Sequence, residues 1–202
     1  EQTEESSKTT NLSIMNYICG KMEFWIETPR LILRDIRMED KEGLFRLDSD
    51  PLVHKFLGNQ TISQIEEAEY AVNFIRAQYE SNGIGRWATI EKSSGDFIGW
   101  SGLKYLTEEE NGHINFYDVG YRFIPAYWGK GYATEASLAA LEYGFEHFGM
   151  SKIVGTANEL NLASIRVLSK CGLTYKNQFM WKDIRCNWME ISREDWEIRQ
   201  QS

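Results

Sequence analysis

The segment from residue 117 to residue 140 holds the residue pattern most able to bind a ligand. Gly129, Gly131 and Ala133 keep side-chain bulk off one side of a turn, so consecutive backbone N–H groups can approach an anion closely. Apolar residues then recur at helical spacing, and the first turn of a helix exposes N–H groups that have no partner within the helix. The pattern predicts a phosphate-binding loop at a helix N-terminus. A loop that is rich in glycine only for packing is the alternative.

Two common phosphate loops do not fit this spacing. A Walker loop needs Ser or Thr after its Gly-Lys pair, whereas Gly129 and Lys130 are followed by Gly131. A dinucleotide fingerprint needs Gly or Ala where this chain has Thr134, and the expected acidic residue is absent near Ser151. A nucleotide-binding domain that uses the same loop is therefore a disfavoured alternative.

Three separated motifs resemble one family of enzymes. Residues 127–136, YWGKGYATEA, with Gly120 and Tyr121 upstream, resemble the pyrophosphate loop of the GNAT acyl-CoA N-acyltransferases. Within that family they look most like the branch of the ribosomal-protein N-terminal acetyltransferases RimJ and RimL, in which Trp128 is expected in place of Gln or Arg. Residues 28–34, TPRLILR, are similar to the start of the same branch. Residues 161–172 resemble the family's Asn-x-x-Ser segment and the helix that follows it.

The resemblance implies acetyl-CoA as a co-substrate and no metal ion. It places the cofactor contacts at the end of one strand, in the loop, in the first turn of the next helix and at the Asn-x-x-Ser segment. These expected contacts are Tyr121, Arg122, Phe123, Trp128, Gly129, Lys130, Gly131, Tyr132, Ala133, Thr134, Asn161 and Ser164. A structural interpretation is also open for the last two, because Asn or Ser at that position can cap a helix.

The groups that move protons are the hardest to assign from the sequence. Asp118 lies on the strand that enters the loop and is a candidate base, acting directly or through water, although an ion pair with a nearby Arg is equally open. Ser164 is a candidate acid or coenzyme A contact by resemblance. Many relatives have a Tyr in the following helix where this chain has Leu168. His54 and His113 are further bases without an evident partner.

The order of the predicted elements agrees with the resemblance. Alternating or apolar runs predict strands over residues 28–34, 86–92, 96–106, 113–124, 151–157, 173–181 and 185–192. Helical spacing and caps predict helices over residues 39–48, from a capping box at Ser63 and Glu66 to Asn82, from the loop to Gly149, and from Asn161 to Gly172. Residues 193–201 read as a tail. The expected class is α/β (α+β), with the mixed, mostly antiparallel central sheet of the GNAT fold flanked by helices.

Composition limits the class of protein. The 202 residues, 42% of them hydrophobic, predict one domain over residues 23–202 after a polar or weakly ordered extension over residues 1–22. A net charge of −8 and a pI near 5.0 argue against direct nucleic-acid binding. Three scattered cysteines indicate neither a disulfide framework nor a zinc site, and no apolar run has the length of a membrane span. The expected location is the cytoplasm.

The expected reaction is transfer of an acetyl group from acetyl-CoA to a primary amine. The acceptor is a protein N-terminal α-amine or a small-molecule amine, which attacks the thioester directly in a ternary complex. A noncatalytic acyl-CoA-binding or sensor module is the alternative, because the missing helix Tyr weakens the case for catalysis but not for binding. A homodimer is compatible with the resemblance, since dimers are common among relatives.

Overall fold

The computed structural model describes residues 16–18 and 21–201, with side chains from residue 24 onward. Its strands are β1 Asn16–Ile18, β2 Lys21–Glu23, β3 Trp25–Glu27, β4 Leu31–Asp35, β5 Arg86–Glu91, β6 Phe97–Leu106, β7 Phe116–Phe123, β8 Lys152–Asn158, β9 Thr174–Trp181 and β10 Ile184–Ser192. Its helices are α1 Lys41–Asp48, α2 Pro51–His54, α3 Ile65–Asn82, α4 Tyr132–Glu142, α5 Leu162–Lys170 and α6 Arg193–Gln200. Most of the predicted N-terminal extension lies outside the described residues.

One large sheet organises the described chain. Its eight strands follow the order β3-β4-β5-β6-β7-β8-β10-β9, and β1 and β2 form a separate hairpin. The neighbours are antiparallel except for β7 and β8, which run parallel and are joined through α4. A parallel pair requires such a crossover because a tight turn cannot join its ends. The predicted mixed, mostly antiparallel sheet flanked by helices is confirmed.

Helices cover both faces of this sheet. On one face, α4 and α5 bury Ala136, Leu141 and Leu168 in a core that also contains Leu33 and Ile153 from the sheet. On the other face, α1 and α3 bury their apolar sides in a second core, formed by residues such as Leu44, Leu47, Ala68, Val72, Ile75 and Ile124. Alternate residues of a strand point to opposite faces, so β7 supplies side chains to both layers.

Three predicted boundaries need correction. The capping box of α3 is formed by Gln64 and Glu67, because the Glu67 carboxylate accepts hydrogen bonds from the backbone N–H groups of Ser63 and Gln64. The helix after the loop changes at residue 143 into a wider π-helical turn before Gly149, whose φ of 74° allows the chain to turn away. Residues 193–200 form α6 rather than a tail, since Ser192 caps it and Trp196 is buried.

Candidate active site

The glycine-spaced loop joins β7 directly to the N-terminus of α4. Gly129 and Gly131 have φ values of 74° and 84°, a left-handed conformation that side chains with a Cβ rarely adopt. The first N–H that bonds within the helix is that of Glu135, which donates to the Gly131 carbonyl at 3.1 Å. No side chain caps α4 among the described residues, so the preceding N–H groups are open to a ligand. This geometry is that of an anion site at a helix N-terminus.

The loop is held in place by the turn between β3 and β4. Arg30 donates from Nη1 to the Lys130 carbonyl at 2.8 Å and from Nε to Glu135 at 2.6 Å, while its guanidinium lies 4.6 Å from the centre of the Tyr132 ring. Glu135 also accepts from the Thr28 hydroxyl at 2.6 Å. The Glu135 carboxylate, in the first turn of α4, therefore points to the turn between β3 and β4. Sequence reasoning missed this contact, because the partners are 105 and 107 residues apart.

The sheet opens beside the loop. Within the described part of the chain, Asp118 and Val154 are the one pair of residues through which β7 and β8 pair. The two strands are therefore unpaired toward their C-terminal ends. Ile124 donates its N–H to the Ile98 carbonyl of the next strand at 3.0 Å. Because antiparallel strands alternate their bonding groups, the N–H groups of Tyr121 and Phe123 point away from β6 into this opening. We call this opening, together with the loop that follows it, the groove.

Trp128 lies at the end of this groove nearest the loop. Its indole N–H donates to the Phe123 carbonyl at 2.6 Å, which fixes the ring beside the end of β7. About half of its surface remains exposed, at 49%. Trp128 thus leaves a large apolar face at the mouth of the predicted cofactor site, next to Gly129 and Lys130.

Asp118 lies where β7 and β8 begin to separate. A hydrogen bond joins its carboxylate to Arg86 Nη2, and Arg86 Nη1 donates to the Asp118 carbonyl at 2.7 Å. Burial raises the pKa of the Asp118 carboxyl, and the adjacent Arg86 guanidinium opposes that rise. From the sequence, Asp118 was either a base or a residue in an ion pair. The structure identifies Arg86 as the partner of that ion pair. The role of Asp118 as a base stays a prediction.

Arg122 points to the opposite face of the sheet from the groove. Its Nη1 donates to Asp48 at 2.5 Å, and its guanidinium lies 5.1 Å from the centre of the Trp100 ring. Asp48 also lies 3.4 Å from Nε2 of the buried His54. The side chain of Arg122 is therefore engaged by Asp48 and Trp100, and its backbone pairs with β6 at Trp100. His54, which had no evident partner in the sequence, has one here.

Residues of the Asn-x-x-Ser segment meet β7 across the opening. Asn161 caps α5 by accepting from the Ser164 N–H at 3.1 Å, as its structural interpretation predicted. The Ser164 hydroxyl lies 2.9 Å from the Tyr121 hydroxyl, which also lies 3.2 Å from the Ser164 carbonyl. Leu168 is buried at 1% exposure and packs against Gly155, so this position of α5 contributes to the core.

The remaining candidates do not extend the site. Cys171 and Cys186 are buried free thiols, and burial raises their pKa values to about 12 and about 11. Among the described residues, no group of three or more His, Cys, Asp or Glu side chains is placed to hold a metal ion. None of the helices within residues 21–201 is both long and apolar enough to cross a membrane.

Comparison with known proteins agrees with this geometry. Residues 30–174 match the family model of the acetyltransferase (GNAT) domain. An FsC-acetyl coenzyme A-N(2)-transacetylase of Aspergillus fumigatus is 28% identical over 186 residues, which cover 85% of this chain and 77% of that protein. A GNAT-family acetyltransferase structure from Bacillus anthracis is similar with a TM-score of 0.70 and 25% identity, over 85% of this chain and 99% of that chain.

RimL, the ribosomal L7/L12 alpha-N-protein acetyltransferase, shares the fold. Its TM-score is 0.71 at 13% identity, with 88% of this chain and 99% of that chain covered. The family model spans most of the chain, from the β3–β4 turn through the loop and α5 to the start of β9. The chain therefore belongs to the GNAT family of N-acetyltransferases.

Proposed function

We propose that this protein transfers the acetyl group of acetyl-CoA to a primary amine by direct attack in a ternary complex. The observation that carries the proposal is the groove in which the unpaired edge of β7 leads into the uncapped N-terminus of α4. The relative named as an acetyl coenzyme A transacetylase supports the choice of cofactor. The acceptor class is a protein N-terminal α-amine or a small-molecule amine, and the fold shared with RimL gives the first of these some support.

The two ends of the groove suit the two ends of the cofactor. The N–H groups of residues 129–134 and the positive end of the α4 dipole would bind the pyrophosphate, as loops of this geometry bind phosphate. The amides of the pantetheine arm would pair with the free edge of β7 as a further strand does. An N–H of Tyr121 or Phe123 would then be the donor available to stabilise the charge that develops on the thioester carbonyl oxygen.

The acceptor amine must lose a proton before it attacks. An α-amino group has an ordinary pKa near 8 and a Lys side chain one near 10.4, so most of either is protonated at neutral pH. Asp118 is the carboxylate at the point where β7 and β8 separate, and its raised pKa makes it a stronger base than an ordinary Asp. The buried cysteines have no part, because a thiol with a raised pKa is a poor nucleophile.

The first experiment is a thermal-shift titration with acetyl-CoA, CoA, ATP and NAD. A ligand that binds only the folded protein raises its melting temperature, so the two CoA species should stabilise and ATP and NAD should not. Thiol release would then be measured against a panel of small amines and N-terminal peptides. Stabilisation without release from any acceptor would favour the noncatalytic acyl-CoA-binding module. Stabilisation by ATP or NAD alone would contradict the proposal in favour of a nucleotide-binding domain.

Gly129 offers a direct test of the anion site. Gly129→Asp places a carboxylate beside the pyrophosphate, and we expect CoA affinity measured by calorimetry to fall by about tenfold or more through like-charge repulsion. Gly129→Asn has nearly the same shape without the charge and should lose less. Gly149 shares the φ of 74° and likewise has open space around a built Cβ, so Gly149→Asp is the matched control at the far end of the helix. Equal losses for Gly129→Asp and Gly149→Asp would remove the loop from the site.

A further inference from the structure

Arg86 reaches Asp118 by extending across the middle of the sheet. Arg86, Gly102 and Gly120 are register partners in one row across β5, β6 and β7. The guanidinium donates through Nη1 to the carbonyls of Gly102 and Asp118, and through Nη2 to Asp118 Oδ2. Only 10% of the Arg86 side chain is exposed. One buried cation therefore bonds to the backbone of β6 and β7 and to the candidate base.

Gly120 provides the space that this guanidinium occupies. A Cβ built on Gly120 would lie 2.6 Å from Arg86 Nη2 and 2.9 Å from Cζ, closer than real Cβ atoms approach other atoms. Gly120 does not adopt the left-handed backbone that favours glycine, so the path of β7 does not by itself require glycine here. A glycine inside a strand is typical of a place where another group approaches the backbone closely. Here that group is the Arg86 guanidinium.

The candidate base needs a bonded cation to work. A carboxylate accepts a proton only when it is ionised, whereas the burial of Asp118 favours its neutral form and raises its pKa. Arg86 of β5, Lys104 of β6 and the backbone of Thr156 in β8 favour the ionised form, and Glu110, between β6 and β7, opposes it. Within residues 24–201, Arg86 is the cation that lies within ion-pair distance of Asp118.

We propose that Arg86 is a positioning residue for the acetyl transfer and that Gly120 is the position that admits it. Arg86 holds Oδ2 of Asp118 and keeps the carboxylate ionised, so that Oδ1 takes a proton from the acceptor ammonium. The N–H bond of the ammonium breaks, and its electron pair stays on nitrogen for the attack on the thioester. Arg86 keeps its own protons, because a guanidinium is not deprotonated in proteins. The inference rests on the proposed function, in which Asp118 is the base.

The titration of the Asp118 carboxyl tests the pair without any ligand. The whole protein, labelled with carbon-13 at its aspartate carboxyl groups, is titrated by NMR, and Asp118→Asn identifies the signal. In Arg86→Met we expect the Asp118 midpoint to move to higher pH by about one pH unit or more, because an adjacent opposite charge is lost. Arg86→Lys keeps the charge without the planar fork, so it should reverse part of this shift.

Lys104→Met is the matched control for the loss of a cation. Lys104 is the register partner of Asp118 on β6 and favours its ionised form, but it lies outside ion-pair distance of the carboxylate. We expect a smaller shift of the Asp118 midpoint than in Arg86→Met. An equal shift in both variants would mean that any nearby cation serves, and no shift in Arg86→Met would mean that Arg86 does not control the carboxylate. Either result would overturn the inference.

Gly120→Ala tests the same arrangement from β7. The added methyl group meets the end of a flexible side chain, so we expect the protein to fold and the Asp118 midpoint to rise as the guanidinium is displaced. In the Arg86→Met background the same substitution should cause no further rise, because no guanidinium remains to be displaced. An unchanged midpoint in Gly120→Ala, or an equal rise in both backgrounds, would contradict the role of Gly120. If Arg86→Met fails to fold, Gly120→Ala alone decides between a raised and an unchanged midpoint.

Turnover across pH separates this inference from the proposed function. It is measured at saturating acetyl-CoA with an acceptor from the panel of amines and peptides. At the pH of the parent's half-maximal rate, turnover of Arg86→Met should fall about 5-fold or more, as a midpoint shift of one pH unit gives, and recover as the pH rises. An equal loss at every pH would show a merely structural role. Failure of the parent protein to acetylate any acceptor would contradict the proposed function, whatever the NMR midpoints show.

Discussion

At the scale of single residues, the site is governed by how buried charges are paired. Asp118 is removed from water, which favours its neutral form, and Arg86 is held against it by bonds to its carboxylate and to its carbonyl. A carboxylate in this setting is basic enough to accept a proton. When it is ionised, the positive charge of Arg86 compensates its negative charge. The same pairing of opposite charges holds for Arg122, which also lies on β7 and forms an ion pair with Asp48 of α1.

Asp118→Asn tests the carboxylate as the base. We expect turnover to fall by about 100-fold or more, the usual contribution of general-base catalysis, with a smaller change in CoA affinity. A carboxylate accepts a proton only when ionised, so the rate of the parent protein should rise with pH through the Asp118 pKa. Because burial raises that pKa, the inflection should lie above the ordinary Asp range.

Asp118→Asn should lack the inflection that belongs to Asp118 and retain only the one that belongs to the acceptor amine. Steady-state rates across pH, at saturating acetyl-CoA, measure both. Asp96→Asn, in the exposed turn between β5 and β6, is the control and should leave the profile unchanged. Identical profiles for Asp118→Asn and the parent protein would dismiss Asp118 as the base.

At the scale of elements, the phosphate loop depends on a turn that precedes it by about a hundred residues. Arg30 contacts the Lys130 carbonyl, the Glu135 carboxylate and the Tyr132 ring, so one side chain connects the β3–β4 turn to the loop and to the first turn of α4. Fixing the loop in advance reduces the entropy that a ligand must lose on binding. The turn therefore supports the proposed cofactor site although it lies outside the glycine motif.

Arg30→Ala should weaken CoA binding more than it destabilises the fold. The side chain of Arg30 is 47% exposed, so we expect the free energy of unfolding to fall by less than about 1 kcal/mol. CoA affinity, measured by calorimetry, should fall roughly 3- to 10-fold because the loop loses its support. Arg76→Ala removes an equal charge from the exposed side of α3 and should change neither quantity. A loss of stability with full CoA affinity would place Arg30 outside the cofactor site.

At the scale of the whole molecule, the C-terminal helix completes the core beneath α4. Trp196 of α6 is 2% exposed and stacks on Phe145 with ring centres 5.6 Å apart. Its indole N–H donates to Glu146 at 3.2 Å, and Arg193 donates to the Phe145 carbonyl. The chain beyond the family match thus supports the π-helical turn that ends α4, rather than trailing from the domain.

Trp196→Ala should lower the free energy of unfolding by about 3–5 kcal/mol, the cost of deleting a large buried aromatic side chain. Denaturation by urea, followed by fluorescence and circular dichroism, would measure the loss. Ile198 lies on the same helix and is 58% exposed, so Ile198→Ala should change the free energy of unfolding by at most about 0.5 kcal/mol. Similar small effects for both variants would show that α6 adds little to the core.

The sequence by itself determined the local features of this protein. The alternation along β7, the glycines of the loop and the apolar spacing of α4 and α5 each lie within one element, and backbone sterics translate such patterns into structure directly. The family resemblance, which depends on the same local motifs, was confirmed for the same reason. The cap at Asn161 also followed from its neighbours in the chain.

Only the tertiary structure decided which side chains meet. Asp118 finds Arg86 at a separation of 32 residues, Tyr121 finds Ser164 at 43, and Arg122 finds Asp48 at 74. No local periodicity encodes these pairs, because they depend on how the sheet orders its strands and on how far β7 and β8 separate. Residues 193–200 carry a local capping signal at Ser192, but the packing of this helix on the domain depends on the stacking of Trp196 on Phe145.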